Sequence, residues 1–247
     1  MKNKLFFLDT ETTGNDLEKD RLCQVAYKKN GKIESKNFKP PIPISVKAMS
    51  VTHITNKMVE KEKPFKGSDF EKKLEKVLTE NIMVAHNAKF DIAMLENEGL
   101  KVGDYICTLR LARYLDEDDE IPEYGLQFLR YFYEIEADVA PHSAEGDVIV
   151  LEEVFKHVFE LAQKKALKAS EEDIIKRMID ISSNPVLIKK INFGKYNGEK
   201  VEDLVKKDRQ YLEWLQRTKE EEGSDEDWIY TLKTYLSDEK QENNLFS

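Results

Sequence analysis

Long apolar runs are missing from this 247-residue chain. The longest, at residues 5–8 and 148–151, are about four residues, against the ~20 needed to span a bilayer. The basic start MKNKL leads into an apolar stretch that stops at Asp9. That is too short for a secretory signal, so a cytoplasmic location and no membrane partner are expected. Cysteine is scarce: Cys23 and Cys107 cannot build a disulfide framework and read as reduced and buried. An excess of basic residues is missing too, with 39 Lys+Arg against 48 Asp+Glu and a net charge of −9. Taken whole, that balance argues against a nucleic-acid partner, which calls for a basic face. The charge is uneven, however. Residues 218–247 hold nine acids and three lysines, a net of −6, leaving −3 on residues 1–217. No internal repeat is present. What is present is enough for a core: 40% hydrophobic residues, including twelve Phe and ten Tyr.

The first half alternates strand and helix signals. Strands are expected at 4–9, 22–28 and 32–38, the last two joined by a tight turn at Asn30-Gly31. Pro40, Pro41 and Pro43 force a loop. A helix follows at 68–80 with Ser68 as its cap, then a buried strand at 82–86 and a helix at 88–98 stopped by Gly99. A short strand at 105–108, helices at 109–114 and 125–133 and a long amphipathic helix at 143–163 complete the pattern. Six acids in residues 116–123 read as a solvated loop. The order describes an α/β fold, a mixed sheet with helices on its faces. Beyond residue 164 the spacing predicts a helix capped by Ser170 with Asp173, a hairpin around Asn197-Gly198, and two short helices at 208–217 and 225–236.

Three places concentrate acid chemistry. Asp9 and Glu11 close the first strand, two residues apart and so on one face. Side by side, they are hard to keep ionised without a cation between them. Asp91 falls in the first turn of the helix after the 82–86 strand. His142 precedes the long helix and Asp147 lies in its first turns, with Gly146 leaving room for an approaching ligand. Each is ordinary alone: acids end strands, favour helix N-termini, and histidines sit in loops.

Their conjunction is not ordinary. LDTETTG (8–14), HNAKFDIAMLENEG (86–99) and HSAEGDVIVLEEVF (142–155) resemble, in order and spacing, the three motifs of the DnaQ-like 3′→5′ exonucleases, the histidine-bearing subgroup of four-carboxylate nucleases. SVTHIT (50–55), TLRLAR (108–113) and YGLQFL (124–129) resemble family segments between those motifs. Ser143 and Cys107 depart from residues common in the family. The resemblance implies a ribonuclease H-like mixed five-stranded sheet flanked by helices. It implies catalysis by Asp9, Glu11, Asp91, His142 and Asp147, with two divalent cations, Mg²⁺ or substituting Mn²⁺, held by the four carboxylates. Asp9 would bridge the ions, Glu11 and Asp147 hold the one carrying the attacking water, Asp91 hold the other, and His142 act as general base. Thr12, Thr13, His53, Asn87 and Phe90 are implied as substrate contacts. Two bound cations would bring the −3 of residues 1–217 to about +1, so acidity does not exclude DNA.

FGKYNGEK (193–200) and YLEWL (211–215) resemble the small C-terminal module of exodeoxyribonuclease X-type proteins. The implied organisation is an exonuclease domain at 1–165, a helical linker at 166–185, a small α+β module at 186–236 and a disordered tail at 237–247. Phe193, Tyr211 and Trp214 read as the core of that module. Residues 185–209 carry seven basic and four acidic side chains, and Lys195, Lys200 and Tyr196 are equally readable as solvated or as a nucleic-acid track. The tail at Gln241 to Phe246 loosely resembles peptides that dock on a sliding clamp. The expected activity is release of nucleoside 5′-monophosphates from DNA 3′ ends, single-stranded or duplex. The alternatives are the same chemistry on RNA, or a non-catalytic adaptor on a nuclease scaffold. The adaptor should have lost catalytic residues, and none is lost.

Overall fold

The computed structural model describes residues 4–117, 119–137, 144–223 and 225–237. They fall into two compact units. The first runs to Leu111 and resumes over Gly125–Ser183; the second combines Ala112–Tyr124 with the residues from Asn184 onward.

The first unit is built on five strands: β1 (Leu5–Thr12), β2 (Leu22–Lys29), β3 (Lys32–Asn37), β4 (Ile82–Ala85) and β5 (Tyr105–Cys107). Their order is β3-β2-β1-β4-β5. β1 is antiparallel to β2 and parallel to β4, the mixed sheet expected. Asn30 and Gly31, at φ 49° and 77°, make the tight turn between β2 and β3. The proline stretch is followed by two short helices, α1 (Val46–Thr52) and α2 (Asn56–Val59). They are capped by the Ser45 and Thr55 side chains. Then come α3 (Asp69–Glu80), capped by Ser68 as expected, α4 (Ala88–Asn97), α5 (Thr108–Leu115), α6 (Leu126–Phe132) and the 22-residue α7 (Ala144–Lys165).

β1 is buried on both faces over Leu5–Leu8 because helices cover each side. Phe6 and Leu8 join one core with Phe70, Leu74 and Leu78 of α3 and Met94 and Leu95 of α4. Phe7, on the opposite face, meets Phe155 of α7 at 5.6 Å between ring centroids. Cys23 and Cys107 are buried thiols, as expected.

The helix α8 (Glu171–Ser183) corrects the expected linker at 166–185. It belongs to the first unit. Ile174, Ile175, Met178 and Ile181 are buried, and Ser182 Oγ accepts the Cys107 N–H of β5 at 2.8 Å. An amphipathic helix with a full apolar face is packed, not spanning solvent.

The described residues of the acidic stretch at 116–123 form a loop with Glu117, Glu120 and Glu123 exposed, as expected, and the loop is anchored within the second unit. Asp116 accepts the N–H groups of Glu120 and Ile121 and the Tyr124 hydroxyl. Its main-chain carbonyl takes the Lys189 ammonium at 2.5 Å, and Ile121 is buried. Glutamates of the segment are solvated, while its carbonyls and one isoleucine anchor it. This unit also carries three helices, α9 (Val201–Lys207), α10 (Arg209–Glu222) and α11 (Glu226–Leu236). The hairpin expected around Asn197-Gly198 reduces to one antiparallel bridge, Lys190↔Lys200, because α9 begins at the next residue. Trp214 is corrected as well. It is 51% exposed, while Trp228 is the tryptophan buried among Ile191, Leu204, Leu212 and Leu232.

Candidate active site

The site forms where β1 outruns its neighbour. β1 pairs with β4 only through Phe7↔Val84, so its last residues lie beyond the β4 ladder. On the other side the register with β2 shifts between Glu11 and Thr12, a bulge one pair before the ladder ends at Thr12↔Leu22. The open end of β1 lies where an antiparallel neighbour gives way to a parallel one, a place where crevices form in α/β sheets.

Asp9 and Glu11 share the Phe7 face by strand alternation. α7 crosses that face. Phe155 sits on Phe7, and Asp147 is eight residues earlier, about 12 Å along the helix. Two to four strand residues cover about 7–13 Å, so Asp147 arrives over Asp9 and Glu11. Carboxylate oxygens of Asp9, Glu11 and Asp147 lie within 4.8 Å of one another. Asp147 is buried, and Asp9 and Glu11 are half-buried.

Asp91 enters from the opposite face. It is buried in the first turn of α4 and accepts the Thr10 hydroxyl at 2.7 Å. Burial pushes Asp91 up to about 7, against the Thr10 hydroxyl and backbone N–H bonds that favour its charged form. Burial first, then Asp147 and Asp91, push Glu11 up to about 8. Asp9 is held well above the carboxylate range by burial and then by Asp91, Glu11 and Asp147. Asp9 and Glu11 thus feel both Asp91 and Asp147. Among the described residues the donor set is oxygen only, without Cys or His in the 4.8 Å group. It suits a hard divalent cation, whose charge would offset the burial, and at Asp9 and Glu11 the repulsion, that raise these pKa values.

Asp147 has a polar support that the sequence did not reveal. Gln127 Nε2 donates to Asp147 Oδ1 at 2.5 Å, and Arg130 Nη1 reaches Gln127 Oε1 at 3.4 Å. A second support lies at the start of α7, where Gln24 Oε1 accepts the Ala144 N–H at 3.0 Å while its Nε2 donates to Asn37. Gln24 sits opposite Glu11 in the β1–β2 register, so one side chain fixes the helix start beside the strand acids. Nothing in the local pattern marks these glutamines, because their partners come from distant segments.

The other residues singled out are placed as follows. His142 lies outside the described residues. Thr13 is buried; its hydroxyl donates to Asp20, its N–H to the Arg21 carbonyl, and its carbonyl accepts from Ser45. It therefore contributes a fixed loop rather than free hydrogen-bonding groups. The Thr12 hydroxyl donates to the Gly14 carbonyl. Gly14 is required here because the Asp20 carboxylate occupies the space of a Cβ. Asn87 and His53 are exposed and both hold left-handed backbone, at φ 58° and 59°. Phe90 is half-buried against the core.

Residues 6–155 match the family model described as Exonuclease, and residues 191–217 match Exodeoxyribonuclease X-like C-terminal. The first match covers more than half the chain and every carboxylate of the site. The chain belongs to the exonuclease family. Exodeoxyribonuclease 10 of Escherichia coli (strain K12) is 29% identical over 181 residues, 72% of this exonuclease and 73% of that protein. The 3'-5' exonuclease DinG of Bacillus subtilis (strain 168) is 31% identical over 171 residues, 64% of this chain but 18% of its own length. A structure of Exonuclease X in complex with 5′ overhanging duplex DNA aligns with a TM-score of 0.51 and 26% identity, over 72% of this chain and 99% of that one. This protein is thus a 3′→5′ exonuclease, a hydrolase of a family that depends on divalent metal. Among the described residues, no helix is long and apolar enough to cross a membrane.

Proposed function

We propose that this exonuclease removes nucleotides from the 3′ ends of DNA, hydrolysing each terminal phosphodiester to a nucleoside 5′-monophosphate. The convergence of Asp9, Glu11 and Asp147 carboxylates within 4.8 Å at the open end of β1 carries the reading. Asp9, Glu11, Asp91 and Asp147 are the residues that would hold two Mg²⁺ ions, with Mn²⁺ able to substitute. Bound there, such ions supply Lewis-acid stabilisation of phosphate charge and a more acidic water. The chain itself contributes fixed carboxylates, aimed by Thr10 at Asp91 and by Gln127 at Asp147. His142 accepts the proton of the attacking water on a ring nitrogen, a role that suits an imidazole near neutral pH. Thr12, Thr13, His53, Asn87 and Phe90 belong to this reading as the groups around the terminal nucleotide.

DNA is favoured as substrate by the module matched at residues 191–217 and by relatives named for deoxyribonuclease activity. A degradation panel tests this: end-labelled single-stranded DNA, duplex DNA and RNA, each with Mg²⁺. Shortening of DNA from its 3′ end is expected; degradation of RNA alone would overturn the substrate assignment. Docking on a sliding clamp is part of the reading only through the Gln241 to Phe246 string. A clamp pull-down unaffected by removing residues 241–247 would dispose of it.

A further inference from the structure

We propose that the surface of the second unit carrying Tyr196, Tyr211, Trp214, Lys195 and Lys207 binds single-stranded polynucleotide, stacking bases on its rings and meeting phosphates with its ammonium groups. The proposal rests on the polynucleotide reading of the active site but concerns a separate surface, to which that reading assigns no role.

The surface is assembled from three segments. On α10, Leu212 and Leu215 face the core, and Tyr211 and Trp214 form the neighbouring stripe at the same three-residue spacing. Tyr211 and Trp214 lie 5.6 Å apart at 39°. The 3-10 turn Gly194–Tyr196 brings Tyr196 edge-on to Tyr211, at 4.9 Å and 75°. Lys195 Nζ stands 4.5 Å from the Tyr196 ring centroid and 5.3 Å from that of Tyr211, and Lys207, at the end of α9, is 5.4 Å from Tyr196. Three rings and two cations therefore form one continuous strip.

A single exposed tryptophan would need no explanation. This one is 51% exposed and continues an aromatic row whose tyrosines meet lysine side chains 62% and 56% exposed. Tyr196 and Tyr211 each lean one side on the core, but Trp214 takes no part in it, and Trp228 is the tryptophan that does. Aromatic planes interleaved with cations are the arrangement that holds single strands without sequence preference. Asp208 pairs with Lys195 at 3.2 Å and Glu199 with Lys207 at 2.7 Å. The lysines are the exposed partners of these pairs, and ion pairs at a surface contribute little, so a phosphate can compete for the ammonium groups, and binding should be salt-sensitive.

The chain has two tryptophans, one half-exposed and one buried, which makes emission a direct readout. The intact protein is titrated with (dT)20 in EDTA, where no hydrolysis occurs. Quenching that weakens as salt rises and disappears in Trp214→Phe is expected. In Mg²⁺, Trp214→Ala and Lys207→Ala should raise KM on (dT)20 by about 5-fold or more, given the usual strength of base–aromatic stacking. Turnover of a trinucleotide should stay unchanged. No quenching at low salt, an unchanged KM, or quenching that follows protein concentration without oligonucleotide would overturn the proposal. Quenching through Trp214 in a protein that degrades no DNA would support this surface while contradicting the proposed function, so the two failures are distinguishable.

Discussion

The Thr10 hydroxyl donates a 2.7 Å hydrogen bond to the Asp91 carboxylate, linking a strand residue between Asp9 and Glu11 to a helix on the far face of the sheet. Removing it while keeping shape, as in Thr10→Val, leaves Asp91 with less to offset its burial. Its pKa should rise further above about 7. A hydrogen bond to a charged group contributes roughly 1.5–3 kcal/mol, so the Mg²⁺ concentration for half-maximal activity should rise about tenfold or more. A metal-titration curve identical to wild type would contradict this role.

Gln127 fixes Asp147 in the same way, at 2.5 Å. Outer partners of metal ligands typically change metal affinity or activity by ~10–100-fold. Gln127→Leu should therefore lose activity on that scale with little change in thermal stability. A matching loss of melting temperature would mean that Gln127 acts by packing instead.

The crowded carboxylates make stability depend on pH. Folding raises Asp91 to about 7 and Glu11 to about 8, and Asp9 also goes up. Between the unfolded values near 4 and these folded values, the native state binds more protons than the unfolded one. Stability therefore falls as pH rises through that window. Asp16, Asp173 and Asp208 shift downward and titrate below it. In EDTA, the melting temperature should drop from pH 5 to pH 8, at about 2–4 °C per kcal/mol for a chain of this size. Mg²⁺ should reduce the drop, and Glu11→Gln should flatten it. A metal-free protein more stable at pH 8 than at pH 5 would refute the clustering.

In the proposed function His142 is the general base, a contribution of ~10²–10⁴ in rate. His142→Ala should lower kcat on that scale and leave KM nearly unchanged. A wild-type rate would remove the residue from the mechanism.

Much of this was legible in the sequence because local rules decide it. Alternation put Asp9 and Glu11 on one face, Asn30-Gly31 announced its turn, and Ser68 and Ser170 capped their helices. What stayed hidden depends on distant partners. Gln24 and Gln127 find theirs 120 and 20 residues away. The acids of 116–123 concealed a segment ordered by its main-chain carbonyls and Ile121. Trp214 and Trp228 look alike in composition, and only the packing of α10 and α11 decides which is buried.

The central claim is that the carboxylates gathered around Asp9 form a metal-dependent hydrolytic site. The most direct test follows a 5′-labelled oligodeoxynucleotide with wild type and Asp9→Asn, each with Mg²⁺ and with excess EDTA. The prediction is stepwise shortening by wild type in Mg²⁺ alone, with Asp9→Asn inactive and its melting temperature in EDTA at or above wild type. Shortening that persists in EDTA, or a folded Asp9→Asn protein working at the wild-type rate, would contradict it.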